Sequence, residues 1–285
     1  MLVSPECIPC YLNQVLNTMR AAGTPEKEQS AVLLDLLPEI ARLGTDRTPS
    51  HNSSVLLLKA YQRIGSNDPF VKAKAVSNRQ AETALKTMGG RISQGVDPLT
   101  AALKLAVAGN VIDLGIFEEY DLEASLGEVE QQQFDPAAVS ALRKALDKAD
   151  RVLVVGDNSG EIVFDRIIVQ YLLDQGKTVT YSVKSGPILN DAIRFDAEEA
   201  GMSGLVPVIE TGSRFLGVEW DLCSEQFQEN WKAADLVLAK GQANYESIEG
   251  TRWAGRKTFF LLKAKCPVVA KHLGVDLGDW VLRQN

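Results

Sequence analysis

Two acidic side chains and one amide stand where short apolar runs end. Asp157 and Asn158 follow the run VLVV at 152–155 directly, within the segment GDNSGE at 156–161. Adjacent Asp and Asn oxygens are hard donors of the kind that hold Mg²⁺ or Mn²⁺. Glu161 falls in the first turn of the helix expected next, whose free N–H groups suit a phosphate. The same spacing also makes a helix cap, with Asn158 at the cap and Glu161 three residues on. Both readings stay open, because Asn158 can serve one and Asp157 the other. Asn190-Asp191 follows the next apolar run, TVTYSV at 178–183, after a Gly-Pro turn. There Asp191 either caps a helix or joins Asp157 and Asn158 as a third oxygen ligand, leaving positions open for water and substrate.

Cations gather near the same chain segments: Lys184, Lys240, Lys263 and Lys265. Lys240 and Lys263 each come at or just beyond a strand end, where a lysine point charge suits phosphoryl oxygens. Asn110 and Asp113, in AGNVID at 108–113, read by spacing alone as a loop after a helix ending at Gly109. Cys7 and Cys10 form a CxxC at the start of a helical pattern. A thioredoxin-like strand context is missing, and a zinc site needs more ligands, for which Cys266 is the candidate third. Burial as small hydrophobes is the competing reading of these thiols.

The elements that must position these groups fall into two regions. Residues 1–150 read as helices, expected to form an all-helical N-terminal domain. Ile8, Leu12, Val15, Leu16 and Met19 recur at helical spacing. Asp97-Pro98 and Asp135-Pro136 each place a capping residue before a proline at the first helical position. From residue 151 to 285, β-branched runs alternate with helical stretches, which predicts a parallel sheet covered by helices on both faces. The expected architecture is therefore α/β: a three-layer α/β/α sandwich with a mainly parallel sheet, beside the helical domain. Ligands of such sheets bind beyond the carboxyl ends of the strands, and that rule selects the segments named above.

Composition excludes several classes. The chain has 285 residues and a net charge of −7, with no clustered basic face, so no nucleic-acid partner is expected. An anionic substrate must then be held by local groups or by a metal ion. No apolar run reaches the length of a membrane span, and the N-terminal residues lack a signal-peptide pattern. Four cysteines in a chain this long fit a reducing compartment, so a cytoplasmic location is expected.

Taken together, CIPC, AGNVID, GDNSGEIVFD, GPILND, KGQANYE and LLKAKCP, in order from residue 7 to 267, resemble the damage-control phosphatase family. Its eukaryotic members were also proposed to be carboxyl methyltransferases, and the CxxC resembles the mainly prokaryotic branch. The resemblance implies the α/β/α sandwich, a divalent metal (Mn, Co, Ni or Mg) and a small phosphorylated metabolite as substrate. It implies a metal at Asp157, Asn158 and Asp191, and substrate contacts at Glu161, Lys240, Gly241, Asn244, Tyr245 and Lys263, with Lys265 beside it. Asn110 and Asp113 match the family's GN-x-x-D motif. Leu261-Leu262 stand where eukaryotic members carry Arg-Thr, so their sugar-phosphate specificities do not transfer. Two alternatives remain: an S-adenosylmethionine-dependent methyltransferase, whose glycine-rich loop is missing after the first strand, and a non-catalytic metal- or metabolite-binding protein.

Overall fold

The apolar runs of the second half pair side by side, as burial on both faces requires. β1 (Arg151–Val155), β2 (Thr178–Val183), β3 (Val208–Glu210), β4 (Leu236–Lys240) and β5 (Thr258–Lys263) run parallel, and β6 (Trp280–Gln284) lies antiparallel on β5. The order is β3-β2-β1-β4-β5-β6. The chain builds outward from β1 to β3, then restarts on the other side of β1 with β4. That places the topological switch point, where open α/β sheets bind ligands, between β1 and β4. Residues 1–92, 97–109, 127, 129 and 131–285 are described in this computed structural model.

Helices precede the sheet: α1 (Cys7–Ala21), α2 (Glu26–Ile40), α3 (Pro49–Ile64), α4 (Val71–Ile92), α5 (Pro98–Ala108) and α6 (Pro136–Leu146). The two Asp-Pro signals act as expected. Asp97 accepts from the Leu99 and Thr100 amides, and Asp135 accepts from Ala137. The helices α7 (Glu161–Asp174), α8 (Arg194–Glu199), α9 (Glu225–Ala233), α10 (Gln242–Ile248) and α11 (Pro267–Leu273) alternate with the strands.

Alternation along the strands divides the core into two layers. Val152, Val154, Tyr181, Leu238 and Leu261 face α4, α5, α6 and α7. Leu153, Val155, Val237, Phe260 and Leu262 face α9, α10 and α11. The result is the expected three-layer sandwich. The change at residue 150 is one of element type, because the first of these cores runs through it, joining Leu103, Val107 and Leu142 to the sheet.

α1, α2 and α3 form a third cluster, closed over the strand ends by Ile188 and Leu216. The buried stripe of α1 is Cys7, Tyr11, Val15 and Met19, rotated from the expected one, and Ile8 is exposed. The shift follows from what α1 covers: its inner face meets the loops after the strands, not only other helices. These three helices roof the ligand edge of the sheet.

Candidate functional site

Two loops are laced together to make the site. Ser159 N donates to Asn190 O at 2.8 Å, and Ala192 N donates to Asp157 O at 2.8 Å. Asn158 and Asp191 form an isolated antiparallel bridge. The segments after β1 and β2 therefore bring Asp157, Asn158 and Asp191 together as the sequence suggested. Asp191 precedes α8 by three residues and does not cap it; that helix begins at Arg194, with Ile193 as its N-cap residue. Leu189 takes φ +44°, a left-handed conformation that side chains resist. Its amide donates to the Tyr61 hydroxyl of α3 at 2.8 Å, so the helical roof holds the strained turn in place.

Asp157 is 8% exposed and Asp191 3%. Burial, then the neighbouring Glu161 and Asp191, push the Asp157 carboxyl well above the usual carboxylate range. Burial also raises Asp191, although Lys184 at 3.8 Å opposes it. One oxygen of Asp191, Oδ2, is buried without a hydrogen-bond donor. Asn158 Nδ2 donates to Glu161 Oε1 at 2.8 Å, leaving its Oδ1 for another partner.

Beneath this layer lies Lys240, fully buried, with Nζ 2.6 Å from Asp165 and 3.1 Å from Glu161. Burial pushes the Asp165 carboxyl up to about 6, against the pull of Lys240. Burial works to lower the Lys240 ammonium, but Asp165 and Glu161 outweigh it and raise the ammonium above its ordinary value. Four carboxylates, Asp157, Glu161, Asp165 and Asp191, are thus buried with two lysines, Lys184 and Lys240. Lys74 nearby is paired with both Asp68 and Asp196. The four carboxyl groups outnumber the two lysines, an acidic surplus of the kind that a cation offsets. With an Asp191 oxygen that no hydrogen-bond donor reaches and hard oxygen donors on Asp157 and Asn158, the residues fit a divalent ion.

Gly241 explains why the segment after β4 begins as it does. Its φ is +79°, and a Cβ there would overlap the Asp157 carboxylate. Asn244 Nδ2 donates to the carbonyls of Gly156 at 3.0 Å and Lys240 at 2.6 Å, tying the two sides of the switch point together. Tyr245 is buried in the α9–α11 core, its hydroxyl 2.8 Å from His272 Nδ1. Of the expected substrate contacts in this segment, Gly241 meets a site carboxylate, whereas Lys240, Asn244 and Tyr245 are buried and do not line the cavity described next.

A cavity of about 450 Å³ opens over Asp157, Asn158 and Asp191. Its other walls include Cys7, Cys10, Tyr11 and Gln14 of α1, Ser50 and Ser53 of α3, and Gln242, Glu246, Lys265 and Cys266. Lys265 lines it and acts on the Asp157 carboxylate; Lys263, at the end of β5, does not line it. Gln242 and Glu246 were not singled out by sequence reasoning, since nothing in their spacing marks them. Burial pushes the Glu246 carboxyl up to about 7. Cys7, Cys10 and Cys266 do share this cavity, and burial raises the Cys7 and Cys10 thiols. Among the described residues no three His, Cys, Asp or Glu side chains are drawn into a formed metal cluster, at the thiols or at the carboxylates. Asn110 and Asp113 lie outside the described residues. Gly109, just before them, packs on Glu161, where a Cβ would come 2.9 Å from its Cα.

Comparison with known proteins places this geometry. The model of the damage-control phosphatase ARMT1-like domain matches residues 3–281. A damage-control phosphatase of Pyrococcus horikoshii is 32% identical over 288 residues, covering 100% of this chain and 99% of the relative. A damage-control phosphatase of Archaeoglobus fulgidus is 26% identical, covering 99% of each chain. The crystal structure of a DUF89 family protein from Pyrococcus horikoshii superposes with a TM-score of 0.90 at 31% identity, over 100% of this chain and 99% of that one.

Proposed function

The chain belongs to the damage-control phosphatase ARMT1-like family, and on that premise we propose a metal-dependent phosphatase that hydrolyses small phosphorylated metabolites, phosphomonoesters in particular. The observation that carries the metal is the surplus of buried carboxyl groups over buried lysines at the switch point. Asp157, Asn158 and Asp191 would hold the ion. When bound, a divalent cation supplies charge to a phosphoryl oxygen and lowers the pKa of a coordinated water.

The chain's own residues divide the remaining work. Gly241 leaves the Asp157 carboxylate room at the floor of the cavity. Lys265 brings a cation to the wall, where it stabilises charge on the equatorial oxygens. α1 and α3 cover the cavity from above, which limits the substrate's size. The cavity volume suits a compact metabolite. The four cysteines are free thiols, which agrees with a reducing, cytoplasmic setting. Among the described residues no helix is long and apolar enough to cross a membrane.

Purified protein incubated with an aryl phosphate tests the reading. Activity should disappear with EDTA and return with Mn²⁺. Hydrolysis indifferent to EDTA would remove the metal from the reaction, and no hydrolysis with any divalent ion would favour a binding protein.

A further inference from the structure

We propose that Asp165 and Tyr181 are positioning residues for the metal ligand Asn158, acting through Lys240 and Glu161; this rests on the metal reading above. Five side chains form one buried line. The Tyr181 hydroxyl, on β2, donates to Asp165 Oδ2 at 2.7 Å. The other oxygen of Asp165 lies 2.6 Å from Lys240 Nζ, at the end of β4. The same ammonium lies 3.1 Å from Glu161 Oε2, and Glu161 Oε1 accepts from Asn158 Nδ2 at 2.8 Å. Tyr181, Asp165 and Lys240 are fully buried and Glu161 is 1% exposed.

Each link follows from where its residue sits. Glu161 and Asp165 are four apart on α7 and share its inner face. β4 is the neighbour of β1 across the switch point, so Lys240 at its end reaches between the two carboxylates. Both carboxylates divide their oxygens between two partners, which fixes their rotation as well as their place. Tyr181 lies directly under the turn that carries Asp157: a Cβ at Gly156 would overlap its ring and hydroxyl. An amide has its donor and acceptor on opposite sides. Holding Asn158 Nδ2 on Glu161 therefore turns Oδ1 away from the line, and Oδ1 is the atom that a hard cation takes. A buried set of ions is a poor source of stability, because hydrophobic groups of similar volume often do as well. Its use here is orientation, as with groups that hold metal ligands from behind in other sites.

The test measures metal binding apart from catalysis. Metal-free wild type, Asp165→Asn and Tyr181→Phe would be titrated with Mn²⁺, with the free ion followed by electron paramagnetic resonance. Asp165→Asn should weaken Mn²⁺ binding about 10- to 100-fold, and Tyr181→Phe in the same direction by less. At saturating Mn²⁺, KM for an aryl phosphate should stay within about twofold in both, since neither residue faces the substrate. Unchanged Mn²⁺ affinity in Tyr181→Phe and Asp165→Asn, with only a lowered melting temperature, would make the line purely structural and overturn the proposal. Should Asp165→Asn fail to fold, Tyr181→Phe decides alone, because it removes a single hydroxyl. A wild type that binds no Mn²⁺ would instead take down the metal reading itself, and this proposal with it.

Discussion

Asp157 and Gly241 show how closely a single residue's geometry limits this site. Alanine at Gly241 is expected to be far worse than its one methyl suggests. It meets a left-handed backbone and the Asp157 carboxylate at once. Displacing that carboxylate by about 1 Å should cost roughly a hundredfold in kcat/KM, with the protein still folded by circular dichroism. Near wild-type activity in Gly241→Ala would mean that Asp157 is not at the reacting centre. The lysines make a second case. LLKAKCP places Lys263 and Lys265 two residues apart, and sequence favoured Lys263. In the structure Lys265 lines the cavity, so Lys265→Ala should lower kcat/KM about a hundredfold, near 3 kcal/mol of transition-state charge. Lys263→Ala should lower it much less. The reverse ranking, measured on the same aryl phosphate, would return Lys263 to the site. Spacing could not separate them, because a strand's last residue and the second residue beyond it differ in facing only once the strand end is known.

At the scale of elements, the N-terminal helices hold the site's backbone with side-chain hydrogen bonds as well as forming walls. Asn78 of α4 accepts from Gly160 N at 2.7 Å, fixing the start of α7 just after the Asp157-Asn158 pair. Asn78→Ala leaves that buried amide unsatisfied, which should lower stability by about 1–3 kcal/mol. Activity should fall with it, although Asn78 is remote in sequence from every ligand. A variant as stable and as active as wild type would show the clasp to be dispensable. Nothing in the sequence marks Asn78, whereas five of the six strands were legible. Runs such as TVTYSV are β-branched and bounded by turn residues, so β2 appears where expected. β6 was missed: WVLRQ is short, half polar and at the sheet edge, where one neighbour suffices. α11 was missed because its seven residues are too few to show a period. The candidate trio Asp157, Asn158 and Asp191 stood out in the sequence since each member follows a strand. The line from Tyr181 to Asn158 was not, for it needs the register of β2, β1 and β4 together.

Over the whole molecule the decisive quantity is buried charge. The protein buries more carboxyl groups than lysines beneath its roof, and burial raises Asp157, Asp191 and Asp165, the last to about 6. Between the ordinary carboxylate range and these raised values, the folded metal-free protein holds more protons than the unfolded chain. Its stability therefore falls as pH rises through that interval. A divalent ion held as proposed would take the place of those protons. Below the raised values it must displace them, and above them it meets carboxylates already charged and unbalanced. The stabilisation by Mn²⁺ should thus be smaller near about pH 5 than near about pH 7.5. At a hundred times the dissociation constant it should approach about 2.7 kcal/mol, a rise of several degrees in melting temperature. EDTA should remove the rise, and Asp157→Ala should abolish it while melting cooperatively. Scanning calorimetry of the chelated and Mn²⁺-loaded protein at the two pH values reads this directly. A rise of equal size at both would assign the ion to groups that do not titrate in this interval, and so to a place other than the carboxylates at the switch point.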